Sequence, residues 1–106
     1  LMLISDKDGK NKIEIQTGDS GKMEIFAEKK LTIKVGDNIT LTMNGNNGTT
    51  ELETTKLNVK VNGNMKYTST GGATLEGSTV SVKSTSSMNL ESSAAVKISG
   101  TPISIG

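Results

Sequence analysis

Apolar residues in the second half of the chain come in pairs two positions apart: Leu57/Val59, Met65/Tyr67, Ala73/Leu75, Val80/Val82, Met88/Leu90, Val96/Ile98 and Ile103/Ile105. A two-residue period predicts strand, because successive side chains of a strand point to opposite faces. The first members of these pairs recur after eight, eight, seven, eight, eight and seven residues. A period of that length between strands predicts units stacked like rungs. The intervening positions are polar: Asn58 and Lys60 between Leu57 and Val61, Thr40 and Thr42 between Ile39 and Met43, Lys97 between Val96 and Ile98. Each strand therefore has one wet face and one dry face. The dry side chains are slim and almost never aromatic, which suits a narrow tube better than a broad sandwich core.

Read from its start, the chain opens on the apolar run Leu1-Met2-Leu3-Ile4, then a polar turn over 5–11 and the alternating stretch Lys12-Ile13-Glu14-Ile15-Gln16. Strand, turn and strand are expected over 1–16, a turn at 17–21, a third strand at Lys22-Met23-Glu24-Ile25-Phe26 and a corner at 26–31. The rungs then settle at 31–35 and 39–43, eight residues apart. Residues 44–55 break the rhythm. Asn44-Gly45 and Asn47-Gly48 favour left-handed turn conformations, and Leu52 is the one inward residue of an imperfect rung. Gly18, Gly36, Gly45, Gly63, Gly77 and Gly100 each follow a rung, predicting corners with positive φ or close backbone approach. No stretch carries a sustained helical period. Residues 1–30 read as the strands that lead into a shaft, and 31–106 as the shaft itself.

Composition sharpens this picture. The 106 residues suffice for one domain. With 32% apolar residues and 2% aromatic, the chain is thinly supplied for a monomeric core. Its β-branched residues nevertheless recur in order, which disordered chains lack. A net charge of +1 with interspersed signs gives no nucleic-acid footprint. There is no Cys, hence no disulfide or thiol chemistry, and no His, the commonest general base. No apolar run approaches a membrane span and no signal peptide is visible. The chain starts at Leu1 and reads as a piece of something longer.

Two closures of the tube fit the spacing. One chain can supply three strands per coil, about 24 residues, for about four coils. Alternatively, three chains wind together and each octad advances the shaft by ~4.8 Å, giving about twelve rungs over roughly 55–60 Å. The absence of bulky core residues and of capping helices favours the second. The expected fold is all-β: an intertwined triangular triple-stranded β-helix, or β-prism, formed by a homotrimer. Its core would include Ile33, Leu41, Leu57, Val59, Leu75, Val82, Leu90, Val96 and Ile98.

The chemistry-bearing residues fit structural roles. Asp6-Lys7-Asp8-Gly9-Lys10-Asn11 resembles a calcium loop but lacks its remaining ligand positions, and reads as a turn. Asn38 and Asn47 open glycosylation sequons that matter only in a eukaryotic secretory route. Met23, Met43, Met65 and Met88 stand at inward positions, where thioethers fill a tight axis. Ser84, Ser86 and Ser87 have no nearby base in sequence, which a serine nucleophile needs. Glu51 and Glu53 share a face without a pocket around them. No catalytic residue, metal ligand or cofactor is expected. A left-handed-helix acyltransferase needs a six-residue period and usually a His, and neither is present. Two classes remain: a structural shaft, and an adhesive or filament-forming β-solenoid spacer.

The phrases Asp8-Gly9-Lys10-Asn11-Lys12-Ile13-Glu14-Ile15, Leu75-Glu76-Gly77-Ser78-Thr79-Val80-Ser81-Val82-Lys83 and Val96-Lys97-Ile98-Ser99-Gly100-Thr101-Pro102-Ile103-Ser104-Ile105 carry a family resemblance. They resemble the C-terminal β-helical shaft of contractile-injection spike proteins. That family comprises phage baseplate hub spikes, the valine-glycine repeat (VgrG) proteins of type VI secretion and the spikes of extracellular injection particles. The resemblance implies a homotrimeric membrane-piercing shaft in a phage tail or secretion particle, delivered outside the producing cell on firing. It implies transient contact with a target envelope and a PAAR-type tip protein docked at the C-terminal end. The platform for that tip would be Thr101, Pro102, Ile103, Ser104, Ile105 and Gly106. The iron-bearing tips of some phage spikes use His, so that variant does not carry over.

Overall fold

The computed structural model describes residues 13–106. The strand expected at 1–4 and the polar turn at 5–11, with its candidate calcium loop, lie outside the described residues. The chain divides into two units, Leu1–Asn62 and Gly63–Gly106.

The first unit contains a three-stranded antiparallel sheet: β1 (Lys30–Val35), β2 (Ile39–Asn44) and β3 (Thr49–Glu53), in the order β1-β2-β3. Among the described residues there is no helix and no other strand. The register places Ile33 opposite Leu41 and Leu41 opposite Leu52, a column of three aliphatic residues across the sheet. Leu31 faces Met43, and Val35 faces Ile39. Period-2 alternation therefore gathers Leu31, Ile33, Val35, Ile39, Leu41, Met43 and Leu52 on one face. The opposite face carries Lys30, Thr32 and Lys34 on β1, Thr40, Thr42 and Asn44 on β2, and Thr49, Glu51 and Glu53 on β3.

The sheet corrects one expectation. Residues 31–35 and 39–43 were expected as successive stacked rungs; they are the two arms of a hairpin. The connection Gly36-Asp37-Asn38 reverses the chain, and Gly36 takes a φ of 58°. A hairpin of this loop length also puts equivalent residues eight apart, so spacing alone did not separate the two arrangements. The second connection uses the Asn-Gly chemistry expected of it. The Asn44 side-chain oxygen accepts from the Asn46 N–H at 3.0 Å and that of Asn47 from the Thr49 N–H at 3.1 Å. Gly48 has a φ of 68°. These are Asx turns closed by their own side chains. Leu52 lies on the apolar face as expected, within a regular strand.

The corner anticipated at 26–31 falls at Glu28 and Lys29, where the backbone bends into β1. It is tied to the β2–β3 connection: the Gly45 N–H donates to the Lys29 carbonyl at 2.8 Å, and a Cβ on Gly45 would stand 3.3 Å from the Glu28 carbonyl oxygen. The turn at 17–21 closes through the Gly21 N–H and the Gly18 carbonyl at 2.9 Å. The strand expected at Lys22-Met23-Glu24-Ile25-Phe26 has no ladder partner in the described chain. Likewise Ile13 and Ile15 belong to no ladder. The Gln16 amide donates to the Glu14 carboxylate, so the two polar side chains share one side of that stretch.

In the second unit no segment pairs with another. The backbone turns sharply at 70–71, 78–79, 85–86, 93–94 and 101–102, and runs between these points without a ladder partner. No described side chain in either unit is buried. Leu31, Leu41 and Met43 in the sheet are half-buried.

Candidate assembly interface

The corners of the repeat form a regular series. Sharp bends open at residues 55, 62, 70, 78, 85, 93 and 101. Every third corner returns after 23 residues: 55, 78 and 101; 62 and 85; 70 and 93. The apolar pairs keep the same return, with Leu57, Val80 and Ile103 in one series and Met65 and Met88 in another. Corner and apolar pair are thus locked in phase, each pair starting two or three residues after a bend.

Local chemistry explains four of the seven corners. The residue before the bend is Thr54, Ser69, Ser84 or Ser92, and its hydroxyl bridges the turn. Thr54 Oγ1 donates to the Lys56 carbonyl at 3.3 Å, Ser69 Oγ to the Gly72 carbonyl at 3.0 Å and Ser84 Oγ to the Ser87 carbonyl at 2.7 Å. Ser92 Oγ accepts from the Ala94 N–H at 3.2 Å. Short hydroxyl side chains compete with ladders for backbone groups and so mark turns. Two further corners, at 78 and 101, follow Gly77 and Gly100. Neither glycine, nor Gly63, has positive φ. Of the two expected corner types, positive φ occurs at Gly36 and Gly48 in the sheet, while Gly77 shows the close approach, a Cβ there standing 3.3 Å from the Thr79 carbonyl oxygen; Gly63 shows neither. Ser84, considered above as a nucleophile, is a corner residue.

The expected core residues are all presented rather than buried. Ile33 and Leu41 are cross-strand neighbours on the apolar face of the sheet. Leu57, Val59, Leu75, Val82, Leu90, Val96 and Ile98 are exposed, from 51% at Val96 to 77% at Leu75. In the expected tip platform the backbone bends at Thr101 and Pro102 across a cis peptide bond. Beyond it Ile103 is 51% exposed, and Ile105 is 93% exposed. Ser104 and Gly106 are exposed as well.

No family model, curated protein or solved structure matches the chain.

The described residues line open concavities on the sheet and in the repeat. One is polar, on the wet face of the sheet, lined by Lys30, Thr42, Asn44, Asn47, Thr49 and Glu51. Another is lined by Tyr67, Ala73, Thr74 and Leu75. Among the described residues no cluster of Asp and Glu is arranged to hold a metal ion, and no helix is long and apolar enough to cross a membrane.

What the geometry presents for binding is apolar surface and free backbone. Outside the sheet, the described residues make two backbone–backbone hydrogen bonds, both in the first unit. From residue 57 onward the backbone N–H and C=O groups have no backbone partner among the described residues, and the dry side chains are exposed. Within the second unit no ladder joins residues 23 apart. The serine corners are the feature that sequence reasoning missed. Their signal was the Ser or Thr standing three or four residues before each of four apolar pairs.

Proposed function

We propose that the chain is the shaft of a contractile-injection spike: an intertwined triangular β-helix built by three copies, which pierces a target envelope and carries a PAAR-type tip. One observation carries the reading. From residue 57 onward, phase-locked corners and apolar pairs leave every dry side chain exposed, and no two repeat segments pair with each other. Ordering a residue costs about 1–2 kcal/mol of backbone entropy, and a lone chain in this form has no burial or ladder to offset it. Strands from two other copies, laid between its successive turns, supply both.

The 23-residue return supports the same reading. A one-chain coil of 23 residues would place residues 80–82 directly beneath 103–105, ~4.8 Å apart and hydrogen-bonded. Ladders between those segments are missing. In a three-chain winding the rise per turn is about three strand spacings, ~14 Å, which accommodates the other two strands.

The shaft function and the tip rest on the resemblance of the rung phrases to spike proteins. The exposure of Ile103 and Ile105 supports a role for residues 101–106 as an apolar seat for a conical tip. The reading assigns the chain no catalytic residue, no cofactor and no nucleic-acid partner, and locates it in a phage tail or injection particle that is delivered outside the producing cell. Binding of a PAAR-type tip protein to the full chain and to the chain lacking residues 101–106 tests it. Both forms are expected to be trimers, and only the full chain to retain the tip. Unchanged binding after the deletion removes the platform. A full-length trimer that binds no tip favours the filament-forming spacer.

A further inference from the structure

We infer that the open edge of β3 is the point where self-pairing gives way to pairing between chains: it receives residues 57–61 of a neighbouring copy as a parallel strand. The inference rests on the three-chain reading above and adds the segment, the direction and the register.

β3 pairs with β2 along one side only. Its other side is an unpaired row of N–H and C=O groups. Such an edge is a template for another strand unless covered. The next alternating segment of the same chain, Leu57-Asn58-Val59-Lys60-Val61, follows after Thr54-Thr55-Lys56 and does not fold back onto it. The bend at 55, closed by the Thr54 hydroxyl on the Lys56 carbonyl, separates this segment from β3. Both halves of a potential ladder are thus present in every copy and unused within it.

Symmetry fixes the direction. About a threefold axis, a chain that leaves one face at the Thr55 corner meets the next face alongside the neighbour's β3, running the same way round. The two faces allow Leu52 to stand beside the neighbour's Leu57, Val59 or Val61, and the seven-residue spacing of the corners at 55 and 62 selects Val59. Thr50 then stands beside its Leu57. On the wet face this puts Glu53 beside Lys60 and Glu51 beside Asn58. Glu51 and Glu53 are charges of the kind that blunt an edge against indiscriminate pairing. Lys60 gives the incoming strand the complementary sign at one of these positions, which selects this segment over strands bearing acids there.

Cysteine pairs test the contact, because the native chain has no Cys. Parallel neighbours lie ~4.8 Å apart, within disulfide range. The double variant Glu53→Cys, Lys60→Cys is expected to run as a covalent trimer on a non-reducing gel, since each chain links to the next around the ring. Each single variant is expected to stay unlinked. Mixing the two single variants before assembly is expected to give covalent dimers. A double variant that still sediments as a trimer, but stays unlinked or closes its disulfide within one chain, overturns the pairing and leaves the three-chain shaft standing. A parent chain that sediments as a folded monomer removes the reading beneath it.

Discussion

Leu41 stands directly opposite Leu52 across the β2–β3 ladder, and the pair belongs to an apolar face on which no described side chain is buried. Leu52 is 48% exposed. A cross-strand pair contributes about 0.2–1 kcal/mol on its own, too little to hold a three-stranded sheet. In the proposed three-chain shaft the neighbouring copies cover this face and supply the rest.

Truncating the face discriminates between a free and a covered sheet. Leu41→Ala in an assembled shaft should cost about 2–5 kcal/mol per chain, as for a buried leucine. In an uncovered sheet the loss should stay under about 1 kcal/mol. Denaturant unfolding of the two proteins at equal concentration measures the difference.

The two faces of a rung should respond oppositely to charge. Ile98→Asp would bring three carboxylates together at the axis, and an unpaired buried ion costs several kcal/mol, so assembly should fail. Lys97→Asp, one residue away on the wet face, should change stability by no more than about 1 kcal/mol. Size-exclusion profiles of both variants check the register; equal tolerance would contradict it.

Gly36 should resist replacement for backbone reasons alone. Its φ is 58°, and a Cβ there would meet nothing within 4 Å. Gly36→Ala should therefore destabilise by about 1–2 kcal/mol, the cost of a left-handed residue. Gly36→Asn should cost less, since Asn tolerates that region. Midpoints of denaturant unfolding separate the two.

The serine corners should matter one by one. Ser84→Ala removes the hydroxyl that bridges to the Ser87 carbonyl and should cost about 0.5–1.5 kcal/mol. Ser86 contributes only its backbone N–H to the same corner, so Ser86→Ala should stay within about 0.5 kcal/mol. Thermal unfolding of the pair reports the contrast.

The division between what was readable and what was not follows from the range of each signal. Alternation at 31–35 and 39–43 marked strands with one apolar face, because side-chain direction is a local property of the backbone; the same alternation at 57–61 forms no strand within the described chain. The Asn44-to-Gly48 turn was readable for the same reason: its Asx hydrogen bonds lie within two residues. Pairing direction is not local. Eight residues separate Ile33 from Leu41 in a hairpin and in a rung stack alike, and a positive φ at Gly36 decides between them. The serine corners were overlooked since Ser84, Ser86 and Ser87 were weighed for catalysis, where the lack of a base disposes of them, and not for turns. Lys22-Met23-Glu24-Ile25-Phe26 alternates as well as β1 does, yet finds no partner in its own chain; alternation declares a dry face without naming what covers it.

The most direct measurement is sedimentation equilibrium of the purified chain across a wide concentration range. A three-chain shaft predicts one folded species at three times the 11.1 kDa chain mass, about 33 kDa, with no folded monomer on dilution. A folded, β-rich species of 11.1 kDa would contradict it.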